Sequence, residues 1–593
     1  MYHRLLLLRR ISQCLFLAAF LALFAFAGRA ALLHLPADLF LRADPLLALS
    51  AMLSLRQALL PLLWYALPVV VMSILLGRVF CGWVCPMGTA IDLCERACRI
   101  AGRKPSQAPQ WRRLKFYLLI ALLVTMLLPV AHRSRQQASL SQSLGLSAVY
   151  VADPIALLTR TLTLSGVPPA QAGLAFARDV NTVWIYGDLA GSRPWLETLL
   201  GHVDSALRRF ARPDSPPHFR LGLVTLALFV GIIALGALAR RFWCRNLCPL
   251  GALLAVLGKF SPLRLRVSDK CTHCLRCVNE CKMGAILDDP KQYRGQVAPG
   301  APPVEVRAPQ AHVVECIWCG ACLAVCPEQA ISVTARRADR GRTDKVDLER
   351  RRLLGALGLG LAAAVLPKVD WSAKRTQAGE RVLKLSSERL IRPPGALPED
   401  AFVTACVRCG ECMKVCPTNT LQPAFGEGGL EAIGTPLLVP RMGPCADYCA
   451  ACGQVCPTRA IQPFLAEEKS YLFLGTARVD RSQCLAWAYG RQCMVCQEAC
   501  PYVAISADVL NGVPRPVVDD RICVGCGECE FRCPVEPRGA IRVSAGGDKR
   551  HLSRAERRAL RERAPFPGAQ PADAAGEGPP GQDIIDRAPY PEM

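Results

Sequence analysis

The chain lacks the segments through which many redox proteins hold an organic or haem cofactor. Its 593 residues contain no Cys-x-x-Cys-His haem-attachment segment, no strand-Gly-x-Gly-x-x-Gly-helix dinucleotide fingerprint and no phosphate-binding P-loop. Histidine is scarce. There are eight, none inside the long apolar segments, which excludes a buried pair of haem b ligands within a membrane. Acidic residues are also short, 48 against 71 Lys and Arg, for a net charge of +23. That surplus comes in blocks: three basic residues against no acidic ones in 1–10, eight against two in 78–115 and twenty against eleven in 240–352. The stretches 29–56 and 131–219 are nearly balanced, at three against two and eight against six. Such alternation is the positive-inside pattern of a membrane protein and argues against a nucleic-acid partner.

What the chain has in quantity is apolar residues, 52% of the total, and 31 cysteines, with a mean hydropathy of +0.24. Four apolar segments, Ile11–Gly28, Ala58–Gly77, Leu114–Val130 and Leu221–Ala239, are each expected to cross the hydrocarbon core as a helix with some interfacial help. The charge blocks place residue 1 in the cytoplasm and Ala131–Phe219 outside. The two cytoplasmic turns carry one signature, GRVFCGWVCPMG at Gly77–Gly88 and RRFWCRNLCPLG at Arg240–Gly251. Each supplies two cysteines four apart, Cys81/Cys85 and Cys244/Cys248, half of a four-thiolate site. The pairs can converge on one cluster or metal ion, act as two redox dithiols, or simply pack. Cys94 and Cys98 add a fourth option, a local Cys81/Cys85/Cys94/Cys98 site. Cys14 reads as a small apolar residue in the first helix.

The other cysteines recur as Cys-x-x-Cys-x-x-Cys-x-x-x-Cys, with the first gap stretched by one residue at Cys445/Cys449 and to eight residues at Cys484/Cys493, which is iron–sulfur ligation rather than a disulfide framework. Two runs fall in 261–345: Cys271/Cys274/Cys277/Cys281 and Cys316/Cys319/Cys322/Cys326. Three close cysteines wrap one cubane and the fourth reaches the partner cluster, so Cys326 is expected with Cys271, Cys274 and Cys277, and Cys281 with Cys316, Cys319 and Cys322. His273 and Trp318, between ligands, read as shielding. Four further runs follow in 369–545: Cys406/Cys409/Cys412/Cys416, Cys445/Cys449/Cys452/Cys456, Cys484/Cys493/Cys496/Cys500 and Cys523/Cys526/Cys529/Cys533. Their fourth ligands can exchange between neighbours or in a nested order, and spacing does not choose. Short apolar stretches after most runs suggest small β-hairpins beside the clusters.

Between the two sets lies Glu349–Pro367, where Arg350–Arg352 lead into an uncharged run from Leu353 to Leu366. At the start of a protein this would be a twin-arginine export leader. In the middle it reads as a retained fifth membrane anchor, a cleaved leader, or a buried glycine-containing helix. The expected fold is an α-helical membrane domain of four helices plus this central fifth, combined with α+β ferredoxin-like domains. The expected divisions are a membrane domain at 1–260, a two-cluster cytoplasmic domain at 261–345, an anchor at 346–368, a four-cluster periplasmic domain at 369–545 and a disordered tail at 546–593.

Six [4Fe–4S] clusters in one chain make a relay, which needs a donor and an acceptor. With no haem or dinucleotide segment, the donor expected is quinol from the membrane pool, and the acceptor a protein outside the membrane; His34 and His132 are candidate proton acceptors. At these motifs the chain resembles two proteins joined end to end. Met1 to about Lys345 is similar to the NapH-type membrane quinol dehydrogenase component. Arg350 to about Ala545 is similar to the NapG/MauM-type ferredoxin with its twin-arginine leader. The long Ala131–Phe219 segment and the Cys94/Cys98 pair fall outside that pattern. The resemblance implies a bacterial inner-membrane protein passing electrons from quinol to a periplasmic c-type cytochrome or reductase, nitrate reductase being the best-known acceptor. The alternative is a NosR/CcoG-like polyferredoxin that serves maturation or reactivation of a metalloenzyme.

Overall fold

Apolar runs without charge satisfy their backbone by folding as helices, and all four expected segments do so in the computed structural model. It describes residues 2–27, 36–55, 60–97, 113–127, 153–186, 198, 200–205, 217–268, 270–272, 274–287, 310–311, 313–335, 352–358, 390–425, 427–428 and 432–549. In chain order the first helices are α1 (Tyr2–Phe26), α2 (Leu39–Arg42), α3 (Pro45–Leu55), α4 (Leu60–Leu76), α5 (Val79–Trp83), α6 (Pro86–Ala97) and α7 (Leu114–Leu127). The fourth apolar segment forms the helix Gly222–Ala234 and then tightens into a 3-10 turn. Among the described residues, only Arg4–Phe26 is long and apolar enough to cross a membrane unaided. The other three expected crossings are shorter apolar helices, Leu60–Leu76, Leu114–Val124 and Gly222–Ala237, for which the interfacial help expected of them is needed. Gly77, with φ of +71°, ends α4 after 17 residues, about 26 Å at 1.5 Å per residue, against a hydrocarbon core of about 30 Å.

The chain divides into two units. The first comprises Met1–Ala25, Leu39–Leu158 and Ala227–Lys368, and the second Phe26–Asp38, Thr159–Leu226 and Val369–Met593. In the first, α3, α4 and α7 pack with the helix Pro249–Gly258, with Ala48, Ala51, Leu62 and Ala66 at the centre of one cluster. Asp44 caps α3 through the Leu46 N–H at 2.8 Å, and Asp153 caps the helix Pro154–Thr161 through the Ala156 N–H at 2.7 Å. The two carboxyls are fully buried against one another. Burial and the neighbouring Asp153 push Asp44 well above the usual carboxylate range, so the pair shares a proton.

The cysteine-rich parts repeat one local plan. A turn of helix carries the third cysteine of each run, as at Arg276–Glu280, Ala321–Val325, Glu411–Val415 and Glu528–Arg532. Pairs of runs are then closed by an antiparallel contact between the segment before the first and the segment after the second. In the first unit β1 (Leu263–Val267) pairs with β4 (Ile331–Ala335), while β2 (Ile286–Leu287) pairs with β3 (Gln310–Ala311) inside them. In the second unit the closing contacts are the bridge Ala396↔Ile461 and the pairing of β7 (Thr476–Val479) with β10 (Ile541–Ser544). Within them lie β5 (Leu421–Pro423) with β6 (Pro436–Leu438) and β8 (Ile505–Leu510) with β9 (Val513–Val518). Of the short apolar stretches expected to form hairpins, Ile286–Leu287 and Ile505–Leu510 make local pairings, whereas those at Ile331, Ile461 and Ile541 make the long-range closing contacts.

Residues from the long middle segment join the second unit. Gln422 donates to the His218 carbonyl at 2.9 Å, Arg220 pairs with Glu427 at 2.8 Å, and the Thr163 side chain lies against Gly410. Of the central stretch, residues 352–358 are helical. Its remainder lies outside the described residues, as do His34, His132, His273, Cys98 and the tail beyond 549.

Candidate iron–sulfur centres

A cluster loop must bring four sulfurs around one space while keeping water out. In the first unit, burial and the neighbouring Cys271, Cys326 and Cys274 thiols push Cys277 up to about 11. Burial likewise raises Cys316 well above its ordinary value, among Cys319, Cys322 and Cys281. The fourth cysteine of each run therefore sits with the other run. Ile286 and Ile331 pack with Cys322, and Cys277, Cys281 and Cys326 line the same apolar cluster.

In the second unit the structure groups neighbours. Cys412, raised by burial, faces Cys409, Cys406 and Cys456, while Cys452 faces Cys449, Cys445 and Cys416. Cys496, pushed up to about 12 by burial, faces Cys484, Cys493 and Cys533; Cys529 faces Cys526, Cys523 and Cys500. The first run exchanges with the second and the third with the fourth. Small cavities are lined by Cys406, Cys409, Cys412 and Cys456, by Cys484, Cys493, Cys496 and Cys533, and by Cys500, Cys523, Cys526 and Cys529. Backbone N–H groups aim at the sulfurs: Ala285 at Cys281 (3.1 Å), Ala330 at Cys326 (3.3 Å), Ile461 at Cys456 (3.4 Å), Ala504 at Cys500 (3.4 Å) and Ala540 at Cys533 (3.3 Å). Four thiols, an enclosed space and donors that favour thiolate fit a cubane at each quartet.

One buried cation serves these loops directly. Lys469 is buried, and its Nζ donates to the Cys449 carbonyl at 3.1 Å and to the Ala446 carbonyl. Burial would push its ammonium down, but Cys445, Cys449 and Cys452 together hold it above its ordinary value. Nothing in its local sequence marks it, because it lies thirteen residues past Cys456.

The two Cys-x-x-x-Cys-Pro turns come together. Cys85 is buried beside Cys81 and Cys244, and Cys248 beside Cys244, Cys81 and Cys85. Cys94 is only half-buried, on α6. The four thiols of the two turns, rather than a set drawn from one turn, are therefore the assembled group. Each turn is braced by an arginine three residues before its first cysteine. Arg241 donates to the Cys81 carbonyl at 3.1 Å and to the Gly88 carbonyl at 3.0 Å, and Arg78 to the Cys244 carbonyl at 3.3 Å. Both arginines are fully buried and each reaches across to the other turn. The matching positions were visible in the sequence as R-x-[FW]-C-x-x-x-C-P-x-G, but the repeat reading stopped at the cysteines and prolines.

Comparison with known proteins places iron–sulfur family models on these segments. Family models described as "4Fe-4S binding domain" match residues 58–106 and 221–268, which hold the two turns, and residues 403–422. Models described as "4Fe-4S dicluster domain" match 270–331 and 491–536. Ferredoxin-type protein NapG of Escherichia coli (strain K12) is 37% identical over 163 residues, 26% of this chain and 69% of the relative. Methylamine utilization ferredoxin-type protein MauM of Methylorubrum extorquens is 38% identical over 163 residues, 26% of this chain and 72% of the relative. Ferredoxin-type protein NapH of Haemophilus influenzae is 25% identical over 346 residues, 56% of this chain and 91% of the relative. No solved structure matches the chain significantly.

Proposed function

We propose, since the chain belongs to the NapG/MauM family of ferredoxin-type proteins and joins to it a NapH-like portion, that it oxidises quinol at a bacterial inner membrane and relays the electrons to a periplasmic reductase such as nitrate reductase. The observation that carries this reading is the assembly of all 24 ferredoxin cysteines into six quartets with exchanged fourth members. Each bound [4Fe–4S] cluster would accept and release one electron without making or breaking a bond.

The chain's own residues supply insulation, polarity and order. Cys271, Cys274, Cys277 and Cys326 would hold one cluster and Cys316, Cys319, Cys322 and Cys281 the next. In the second unit the sets are Cys406/Cys409/Cys412/Cys456, Cys445/Cys449/Cys452/Cys416, Cys484/Cys493/Cys496/Cys533 and Cys523/Cys526/Cys529/Cys500. The two pairs of that unit meet where the Cys445 N–H donates to the Cys526 carbonyl at 2.8 Å. The Cys445 and Cys523 quartets are therefore the link between them. Tyr502, buried beside Cys526 and Cys445, fills the space there.

Membrane attachment is supported by α1 and by apolar side chains left on helix surfaces, among them Leu15, Leu60, Trp64 and Val71 in the first unit. Sidedness follows from the charge blocks, and the grouping of Thr159–Leu226 with Val369–Met593 supports one common, outer side for both. The test is the full chain reconstituted in lipid and given a reduced quinol. Loss of the oxidised cluster absorbance and appearance of reduced-cluster EPR signals are expected; no reduction in a chain with full iron content would overturn the proposal.

A further inference from the structure

The quartet Cys281, Cys316, Cys319 and Cys322 differs from the others in what lies beside it. Its four cysteines line a cavity of about 370 Å³. The corresponding spaces at the Cys406, Cys484 and Cys523 quartets are about 20, 20 and 10 Å³. All these loops wrap the same kind of centre, so the excess is room beyond what a cubane needs. Its walls come from outside the cluster loops: Leu5 of α1, Leu76 of α4 and Trp83 of α5, with Leu265 of β1 and Val333 of β4. No His, Asp, Glu, Lys or Arg lines it. An apolar hollow of a few hundred Å³ is the usual form of a small-molecule site.

We infer that this cavity seats the ring of the quinol, against the sulfurs that receive its electrons. Leu76 and Val333 line the cavity yet are 41% and 47% exposed, so it opens to the surface between apolar side chains. Such a mouth suits a molecule that arrives through lipid. It also lies by the foot of α1, which holds the one described helix long and apolar enough to cross a membrane: Leu5 Cδ2 lies against Gly320, leaving no room for a Cβ there. Trp318 supplies the specific wall. Its φ of +54° is costly for a bulky side chain. Arg408 and Gly525 hold the same place in other loops at +53° and +74°, so the turn itself does not call for tryptophan. An indole there gives a flat apolar face, and its Nε1 is buried with no hydrogen-bond partner among the described residues, a donor left for an oxygen of the ring. Trp83, the second indole, is fixed by its Nε1 donating to the Trp318 carbonyl at 3.1 Å. A lipid acyl chain would fill the same walls and use neither that donor nor the sulfurs.

The inference rests on quinol as the donor proposed above. Quinol is oxidised to quinone with loss of two electrons and two protons. The electrons leave one at a time: the centre at Cys281, Cys316, Cys319 and Cys322 is reduced, reoxidised by the centre of the Cys271 quartet, and reduced again. The protons go to water at the mouth, because no base lines the cavity.

The experiment compares the full chain in lipid with Val333→Trp and Leu76→Trp, which fill the mouth from partly exposed positions, and with Trp318→Phe, which keeps the wall and removes the donor. Each is given a short-tailed benzoquinol or naphthoquinol and, separately, the oxidised quinone. In the tryptophan variants the quinol concentration for half-maximal cluster reduction is expected to rise at least about tenfold, with iron content and dithionite reduction unchanged. In Trp318→Phe a rise of about fivefold is expected. The oxidised quinone should raise the unfolding temperature of the wild type and not of the tryptophan variants. Wild-type half-saturation in a tryptophan variant of full iron content would overturn the inference, as would equal stabilisation of wild type and variants by the quinone, or none of the wild type. Should both tryptophan variants lose iron, Trp318→Phe decides, and half-saturation equal to wild type overturns the site. A wild type that quinol cannot reduce sinks the proposed function, while the quinone-dependent stabilisation and its loss in the variants still report the site.

Discussion

Lys469 provides the sharpest test of how the second unit sets its potentials. Its ammonium is buried and donates to two carbonyls of the loop that carries Cys445 and Cys449. Two unit charges about 6 Å apart at an effective dielectric of about 20 interact by about 3 kcal/mol, and a buried ammonium bonded to that loop favours the added electron by an energy of this order. For a one-electron couple this is about 120 mV. Lys469→Met keeps the length of the side chain and removes the charge, so one reduction step is expected to move down by on the order of 100 mV. The two carbonyls lose a donor, costing about 1–3 kcal/mol each, which thermal unfolding would register separately. Lys469→Arg restores the charge and most of the potential. The assay is an EPR-monitored redox titration of protein with full iron content. Equal titrations for wild type and Lys469→Met, or an upward shift, would refute the electrostatic argument.

Two further outcomes follow from the same geometry. Cys416→Ala removes the fourth thiol of the Cys445 quartet and Cys456→Ala that of the Cys406 quartet. The signal displaced by Lys469→Met must therefore be the one damaged in Cys416→Ala and intact in Cys456→Ala; damage by neither variant would support nested pairing, and damage by Cys456→Ala alone would mean that the run keeps its own fourth cysteine. In the first unit, burial and Asp153 hold the folded Asp44 carboxyl above its unfolded range. A raised carboxyl stabilises most below the unfolded value of about 4 and loses that contribution as pH rises toward the folded one. Asp44→Asn keeps a partner for Asp153 without the extra proton, so wild type should lose thermal stability relative to it as pH rises above the unfolded carboxyl value of about 4. Parallel pH profiles would refute the shared proton.

The parts legible in the sequence are those decided within a few residues. Four of the six runs have three cysteines spaced by two, and five of the six end in Cys-Pro, so each run was visible from its own local pattern even where the first gap is stretched, at Cys445/Cys449 and Cys484/Cys493. The fourth partner is different, because it depends on which distant segments pair. In 261–345, β1 and β4 enclose two runs. In the second unit the bridge Ala396↔Ile461 encloses the Cys406 and Cys445 runs, and β7 with β10 the Cys484 and Cys523 runs. A nested order would need a segment ahead of Cys406 to pair with one beyond Cys533, and Ala396 is already engaged with Ile461. Closure of each two-run module by its own flanking strands thus selects neighbours, a long-range contact that no spacing encodes. The same limit hid the arginines. Arg78 and Arg241 look like two of many basic residues in cytoplasmic turns, and only the fold shows that each is buried and spans to the opposite turn. Membrane-sided charge and turn-bracing charge are written in the same letters, so a positive-inside count absorbed two residues whose guanidinium groups hold carbonyls of the opposite turn.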